Sequence, residues 1–384
     1  MRFTRGRRFA AACAFLLSCA LGSVIAAEPG AAGANPLQPR HLNSIARLLA
    51  GLPLSHADHA GLASTEAWKS HSQAMQASWE RVRSGQLAGM KAWRTAALPT
   101  QCPIGQTLFY PFSGPDFLNA YTLFPGCDTY VMFGLESIGE IPDPAAMTPE
   151  EFSQLLTDVR EAMVNLFVRN YFVTITMKKM LQTDRLRGVM SILMMSMVFL
   201  DAEVTAIGPP PFPRTAGPTH ELDGVTIEFR VPGSARTKRV IYYSFDASNK
   251  GLTNYPEFVK YLRGLAPTTT LVKSASYLMH VSEFKRMRDV VLDTSAFLVQ
   301  DDTGLPYSLL IERGWKLRPY GRYGVPIAPF ERHYQTELAA AFEASKPEPL
   351  PFRFGYQRDK GENYSNLVVG QRSQIAHMHR SNAR

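Results

Sequence analysis

Residues 107–124 read TLFYPFSGPDFLNAYTLF, and this stretch sets the pattern for the rest of the chain. The apolar and aromatic run Thr107-Leu108-Phe109-Tyr110 predicts a strand. Ser113-Gly114-Pro115-Asp116 predicts a turn that leads into a short helix from Phe117 to Phe124. A strand, a rigid turn and a helix in this order are typical of a chain that alternates the two kinds of element.

The same order of elements recurs in both halves of the sequence. In the first half, Thr129–Phe133 predicts a strand that enters the glycine-containing corner GLESIG, and Thr148-Pro149 begins a helix. In the second half, the strands Val240–Phe245 and Ala296–Gln300 precede a helix at Ala328–Ala344. We therefore expect an α/β or α+β fold with two packed halves. Either a diverged β-α-β-α duplication or coincidence would explain the shared order.

Several further elements follow from periodicity. Pro39–Leu98 carries apolar residues at helical spacing, which predicts a helical N-terminal layer. A second long helix should end near Val204, and its stretch Gly188–Leu200 is apolar all round, so we expect it to be buried. Val225–Phe229 should form a hairpin with the strand at 240–245, and Ser274–Leu292 should be a helix. The chain then divides into a signal peptide at 1–26, an N-terminal half at 39–207, a C-terminal half at 220–370 and a polar tail at 371–384.

The first residues predict export from a bacterial cytoplasm. Four arginines precede an apolar run from Phe9 to Leu21, and Val24 and Ala26 stand at the −3 and −1 positions of a signal peptidase site. A lipoprotein signal is the alternative, because Leu16-Leu17-Ser18-Cys19 resembles a lipobox whose cysteine would be lipidated. We therefore expect a periplasmic or secreted protein, or one anchored to a membrane only if lipid is attached to Cys19.

Charge and cysteine content indicate which partners and which redox compartment to expect for the mature protein. The four arginines of the signal account for half of the net charge of +8, and no basic run interleaves with aromatic residues, so nucleic acid is not an expected partner. Of the four cysteines, Cys102 and Cys127 lie outside the signal. An even pair in an oxidising compartment predicts a disulfide. A pair of metal-binding or catalytic thiols is the alternative, although no CxxC spacing supports it.

The segment YPFSGPD at 110–116 is the first candidate for a functional site. Two prolines and a glycine fix its backbone, so Tyr110 and Ser113 are candidate ligand-binding residues and Asp116 a candidate catalytic one. The alternative is that Ser113 or Asp116 caps the following helix through backbone N–H groups.

Carboxylates at strand ends are the second set of candidates. Glu136 and the pair Asp301-Asp302 each follow a strand and enter a glycine turn, where a carboxylate could act as a general base or bind a cation. Gln300 at the end of the same strand is a candidate ligand-binding residue. Aspartates in turns also commonly bond their own backbone, which is the structural alternative.

A third set lies on the predicted helix at 274–292 and the residue before it. Lys273, Ser276, Tyr277 and His280 would share a helix face. Lys273 and His280 are candidate catalytic residues, and Tyr277 is a candidate ligand-binding residue. The alternative is a partly buried helix face without a chemical role.

The sequence predicts neither a metal site nor a cofactor. His56 and His59, and His377 and His379, are too few to form a ligand set, and the methionines at 177, 180, 190, 194, 195 and 197 are better explained as core filler than as a Cu(I) site. HExxH, GxSxG and a phosphate-binding glycine loop do not occur.

The strings YPFSGPDFLNAYTLFPG, GLESIG, SASYLMH and QDDTGLPY together resemble a group of exported bacterial proteins that carry a domain of unknown function, some of them described as lipoproteins. The resemblance covers about Ile45 to Arg372 and implies no activity or catalytic residue.

Two hypotheses about the function of the protein remain. The first is an envelope protein that binds a ligand or protein partner in a cleft between the halves. The second is a periplasmic hydrolase that uses the carboxylates with Lys273 or His280.

Overall fold

The computed structural model describes residues 38–164, 167, 185–212, 222–356 and 363–372. The predicted signal peptide, Cys19, His377, His379 and most of the polar tail lie outside these ranges. The described residues belong to one compact unit. No helix in the described ranges has the length and apolar character that crossing a bilayer requires.

A nine-stranded mixed sheet runs through the whole of this unit, in the order β3-β4-β5-β2-β1-β6-β7-β9-β8. The strands are β1 (Thr107–Tyr110), β2 (Thr129–Gly134), β3 (Glu203–Gly208), β4 (Asp223–Arg230), β5 (Lys238–Ser244), β6 (Thr268–Val272), β7 (Ser295–Gln300), β8 (Trp315–Gly321) and β9 (Asn366–Arg372). The five central strands are parallel, and antiparallel pairs extend both edges. The α/β prediction is therefore confirmed.

Helices cover both faces of the sheet. They are Pro39–Leu49, Ala60–Ala63, Glu66–Arg81, Ala88–Ala97, Phe117–Leu123, Pro149–Val164, Met190–Phe199, Asn249–Leu252, Pro256–Gly264, Lys285–Thr294, Tyr307–Glu312 and Thr336–Ser345. A π-helical turn spans Val82–Leu87, and 3₁₀ turns span Pro144–Ala146, Leu278–His280, Ser282–Phe284 and Ala328–His333. The predicted helical N-terminal layer is confirmed, and every residue of Met190–Phe199 is buried, as its composition predicts.

Alternation along β1 shows how the two layers form. Leu108 and Tyr110 point into the core shared with the N-terminal helices, whereas Phe109 points into the core beneath Pro256–Gly264 and Lys285–Thr294. Parallel strands covered on both faces are apolar on both faces, which explains the continuous apolar runs in the sequence.

The order of the parallel strands is that of a doubly wound fold. From β1 the chain moves outward to β2 and β5, then crosses to the other side of β1 to form β6 and β7. The direction of winding therefore reverses between β1 and β6. Crevices at such a switch point, outside the carboxyl ends of the strands, are where open α/β sheets bind ligands.

The structure corrects the predicted duplication. β1 and β2 are neighbours, whereas β5 and β7 are separated by β2, β1 and β6, so the two proposed units are not equivalent. The sequence prediction also missed β6, β8 and β9. It missed β3 because it extended the second long helix to Val204, whereas the helix ends at Phe199 and β3 begins at Glu203. Gln371 and Arg372, assigned to the polar tail, complete β9.

Two helix boundaries also differ from their predictions. The helix expected at 274–292 begins at Lys285, after two 3₁₀ turns. The helix expected at 328–344 begins at Thr336. The hairpin of β4 and β5 is confirmed.

Candidate functional site

A cavity of about 320 Å³ lies at the carboxyl ends of β1, β2, β5 and β6. Residues from both halves of the sequence line it. They are the aromatic Tyr110, Phe112, Phe133, Phe245 and Phe284, the polar Ser113, Asp116, Glu136, Asp246, Lys273, Ser274 and Ser276, and Gly114, Gly134, Leu135, Ala247, Ala275 and Leu278. A mostly apolar concave surface with a few fixed polar groups is typical of small-molecule sites.

A buried ion pair closes the floor of the cavity. Lys273 Nζ lies 2.7 Å from Asp116 Oδ2, and the two side chains are 1% and 2% exposed. Tyr110 Oη donates to Asp116 Oδ2 at 2.8 Å, and Asn119 Nδ2 donates to Oδ1 at 2.7 Å. Burial, followed by the Asp116 charge, raises the pKa of Tyr110 well above its usual value, so its hydroxyl stays a donor. Such a pair is tolerated inside a protein because each charge is matched and hydrogen-bonded.

The loop after β1 owes its shape to backbone geometry. Phe112 and Gly114 have φ values of 57° and 52°, in the left-handed region, and Pro111 and Pro115 restrict the residues between them. The capping alternative is wrong for both side chains: Asp116 makes no side-chain cap to the helix Phe117–Leu123, and Ser113 Oγ donates to the carbonyls of Gly114 and Phe133. The loop therefore presents Asp116 to the side chains of Lys273 and Asn119 rather than to the backbone N–H groups of the helix.

The loop after β6 is not helical, which corrects the predicted helix face. Ser274, Ser276 and Tyr277 have φ values of 53°, 52° and 54°. Tertiary hydrogen bonds hold this backbone: Ser274 N donates to Asp301 Oδ2 at 2.8 Å, and Tyr277 Oη donates to Asp302 Oδ2. Lys273, Ser276, Tyr277 and His280 consequently do not share a face. Only Lys273 and Ser276 reach the cavity.

Asp301 and Asp302 position that loop instead of lining the cavity. Asp301 Oδ1 accepts from Thr303 N at 3.0 Å and from Thr303 Oγ1 at 2.6 Å, and Asp302 Oδ1 accepts from Asn366 Nδ2 at 3.0 Å. Both side chains are buried. Burial, followed by the neighbouring Asp302, raises the pKa of Asp301 to about 7. Asp301 therefore bonds local backbone, as in the structural alternative, whereas the Asp302 carboxylate bonds the side chains of Tyr277 and Asn366.

Glu136 lines the cavity two residues beyond the end of β2. It is 4% exposed, and Tyr242 Oη donates to its Oε2 at 3.3 Å. A Cβ on Gly134 would lie 2.2 Å from Glu136 Oε2 and 2.7 Å from Tyr242 Oη, so a larger residue here would displace these two side chains. Burial, followed by the Glu136 charge, raises the pKa of Tyr242 well above its usual value, so that hydroxyl also remains a donor.

The remaining candidates divide between the cavity and its surroundings. Ser113 and Tyr110 line the cavity. Gln300 instead bonds the backbone of Leu305 in both directions, at 2.8 and 2.9 Å. His280 packs against the Tyr277 ring at 5.2 Å, outside the cavity, and burial lowers its pKa to about 4. Five candidates therefore converge, namely Tyr110, Ser113, Asp116, Glu136 and Lys273.

The sequence analysis did not identify Ser274 or most of the aromatic residues that line the cavity, namely Phe133, Phe245 and Phe284. Phe245 and Asp246 directly follow β5, so the rule that parallel strands meet at their carboxyl ends would have placed them beside Glu136. The pairing of strands was the missing information. Phe284 comes from a 3₁₀ turn and carries no comparable signal.

Among the described residues, no group of three or more His, Cys, Asp and Glu side chains could hold a metal ion. Met190, Met194, Met195 and Met197 are buried in the core. Cys102 and Cys127 form the predicted disulfide.

Searches for similar proteins found no matching family model, no matching curated protein and no matching solved structure.

Proposed function

We propose that this chain is an exported envelope protein that binds a small organic ligand in the cavity between β1 and β6. The observation that carries the proposal is the position of the cavity. It lies at the switch point of a doubly wound sheet, where loops from both halves of the sequence meet. The ligand would therefore contact both halves, as expected of a cleft between them.

Binding accounts for the polar groups better than hydrolysis does. Lys273 Nζ donates to Asp116 Oδ2 in a buried ion pair, so the geometry holds it as a hydrogen-bond donor rather than as a base. Ser113 Oγ donates to backbone carbonyls rather than to a basic side chain. His280 lies outside the cavity. The convergence of Asp116, Glu136 and Lys273 on the cavity is the one observation that supports the hydrolase hypothesis.

Export is supported by the sequence of residues 1–26 and by the Cys102–Cys127 disulfide, which persists in oxidising compartments. A lipid anchor on Cys19 remains the alternative form of the mature protein. The mass of the mature N-terminus distinguishes cleavage after Ala26 from lipidation of Cys19.

A ligand-observed NMR screen of a fragment library tests the binding site. Leu135 lines the cavity and is 46% exposed, so Leu135→Glu places a charge at the cavity without disturbing the core. Ile311 is 52% exposed on a helix away from the cavity, so Ile311→Glu is the matched control. We expect hits that are lost with Leu135→Glu and retained with Ile311→Glu. A library without hits, or hits that both variants retain, would contradict the proposal.

A further inference from the structure

We propose that the ligand of this cavity is an uncharged aromatic carbonyl compound, in which a carbonyl oxygen is attached to a flat ring. The inference rests on the binding function proposed above and names the class of ligand. Three features of the lining support it. They are hydrogen-bond donors with unused capacity, a carboxylate whose two oxygens are both engaged, and a wall of phenylalanine rings.

Two consecutive residues at the end of β6 bring unused hydrogen-bond donors to the cavity. A lysine ammonium has three N–H donors and no acceptor, and Lys273 Nζ makes one hydrogen bond within the described residues, to Asp116 Oδ2. The buried Ser274 Oγ has no hydrogen-bond partner in the same part of the chain. Both residues line the cavity. Because buried donors without a partner cost free energy, a ligand that supplies an acceptor is favoured here.

The backbone of Ser274 is already engaged, so its hydroxyl is the group that can meet a ligand. Ser274 N donates to Asp301 Oδ2 at 2.8 Å, and the Ser274 carbonyl accepts from Tyr356 Oη at 2.7 Å. These bonds hold the loop in place before a ligand binds, and such preorganisation improves affinity. A carbonyl oxygen has two lone pairs, so a single ligand atom can accept from Ser274 Oγ and from Lys273 Nζ.

The buried ion pair favours an uncharged acceptor over a carboxylate. Asp116 Oδ1 accepts from Asn119 Nδ2, and Asp116 Oδ2 accepts from both Tyr110 Oη and Lys273 Nζ. The charge of Lys273 is therefore already matched by Asp116. A ligand carboxylate that bonded the same ammonium would lie beside the Asp116 carboxylate, and like charges in one buried site repel each other. A carbonyl oxygen accepts the same hydrogen bonds without this repulsion.

Four phenylalanines form a continuous wall that matches a flat ring. Phe133 contacts Phe112 at 5.3 Å and Phe245 at 4.8 Å between ring centroids. Phe112 in turn contacts Phe284 at 5.9 Å. Aromatic rings pack on one another in offset or edge-to-face arrangements, with a gain beyond the burial of apolar area. The cavity of about 320 Å³ is at the small end of the range for ligand sites, which suits one ring or two fused rings.

NMR titration of the mature, oxidised protein with acetophenone and with 2-acetylnaphthalene tests the proposal. At least one of these ketones should bind. Its analogue with ethyl in place of acetyl should bind about tenfold more weakly, because it offers no acceptor to the buried donors. The analogue with a carboxylate in that place should also bind about tenfold more weakly, because of repulsion by Asp116. The analogue with a saturated ring should lose at least about threefold. These comparisons use the unmodified protein, so they do not depend on how a variant folds.

A pair of variants assigns the acceptor site to Ser274. Ser274→Ala removes one of the two donors and keeps the backbone hydrogen bonds of the loop, so the preference for acetyl over ethyl should fall to about threefold or less. Ser44→Ala is the same change at a buried serine outside the cavity, where Oγ donates to the Asp58 carbonyl. That variant should leave the preference intact.

Absence of binding by both ketones, equal binding of the ethyl or saturated-ring analogue, or tighter binding of the carboxylate would overturn the proposal. An unchanged preference in Ser274→Ala would overturn it as well, because the carbonyl would then not contact Ser274. Fragment hits that depend on Leu135 in a protein that binds neither ketone would overturn this inference alone and leave the binding site standing.

Discussion

Lys273 and Asp116 show what residue-scale reasoning can and cannot predict. Asp116 was a candidate because it lies in a rigid turn, and Lys273 was one because it was expected to share a helix face with Tyr277 and His280. Their pairing could not be predicted, since it joins loops 157 residues apart in sequence and depends on β1 and β6 being neighbours. The expected helix over Ser274 likewise fails because tertiary bonds to Asp301 and Thr303 hold a left-handed backbone.

A double-mutant cycle measures the Lys273–Asp116 pair. We expect Lys273→Met to lower the free energy of unfolding by about 3 to 5 kcal/mol, because it leaves a buried carboxylate without its ion-pair partner. Asp116→Asn should also destabilise the protein. The double variant should lose less than the sum of the two, by at least about 1 kcal/mol. Urea denaturation measures all four proteins, and additive losses would contradict a direct interaction.

His71 should make stability depend on pH. Its ring is fully buried, Nε2 donates to the Leu49 carbonyl at 2.7 Å, and burial lowers its pKa to about 4. The unfolded chain, with a histidine pKa near 6.5, therefore binds the proton more readily than the folded one. This contribution to stability is complete above pH 6.5 and is lost as the pH falls toward 4.

Measuring the free energy of unfolding at pH 7 and at pH 5 tests whether stability falls as the pH is lowered. Histidine at position 71 should account for about 2 kcal/mol of the loss at pH 5. His71→Gln should show a correspondingly smaller loss, whereas His56→Gln, at an exposed position, should behave like the wild type. Equal losses in all three proteins would contradict the assignment to His71.

At the scale of elements, β1, β2, β4, β5 and β7 were predictable, whereas β3, β6, β8 and β9 were not. β1, β2, β5 and β7 carry aromatic or aliphatic runs. β6 reads TTTLV, and its threonines are buried because their hydroxyls find partners: Thr268 Oγ1 and Thr270 Oγ1 lie 3.0 Å apart, and Thr270 bonds Ser295 at 2.7 Å. A prediction based on the pattern of apolar residues therefore does not identify this strand.

The segment after Glu136 is fixed by a close backbone approach, which yields a prediction at this scale. Ser137 and Ile138 carbonyls accept from Val189 N and Met190 N, at the start of the helix Met190–Phe199. Gly139 has φ 73°, and a Cβ there would lie 1.1 Å from the Arg187 carbonyl oxygen. The loop that carries Glu136 can therefore tolerate only glycine at this position.

Gly139→Ala should lower the free energy of unfolding by about 3 kcal/mol or more, from backbone strain and overpacking together. Gly233→Ala is the matched control, because Gly233 has φ 76° with open space around it, and should cost about 1 kcal/mol. Thermal or urea unfolding of the two variants compares them. Equal costs would show that the contact with Arg187 does not constrain the loop.

At the scale of the whole molecule, the fold class was predictable but the topology was not. The order of similar elements in the two halves suggested a duplication, yet crossover connections place β6 beside β1 and leave β5 and β7 far apart in the sheet. Cys102 and Cys127 precede β1 and β2, at the amino ends of the strands, opposite the cavity. The predicted disulfide thus stabilises the fold, by about 3 kcal/mol for a loop of this size, without contacting the site.

Amide hydrogen exchange with and without the tightest-binding fragment tests the central claim, that the carboxyl ends of β1, β2 and β6 form the binding site. We predict slower exchange in residues 112–116, 134–136 and 273–278, with no change near Cys102 and Cys127. Protection confined to segments outside the cavity would contradict the account.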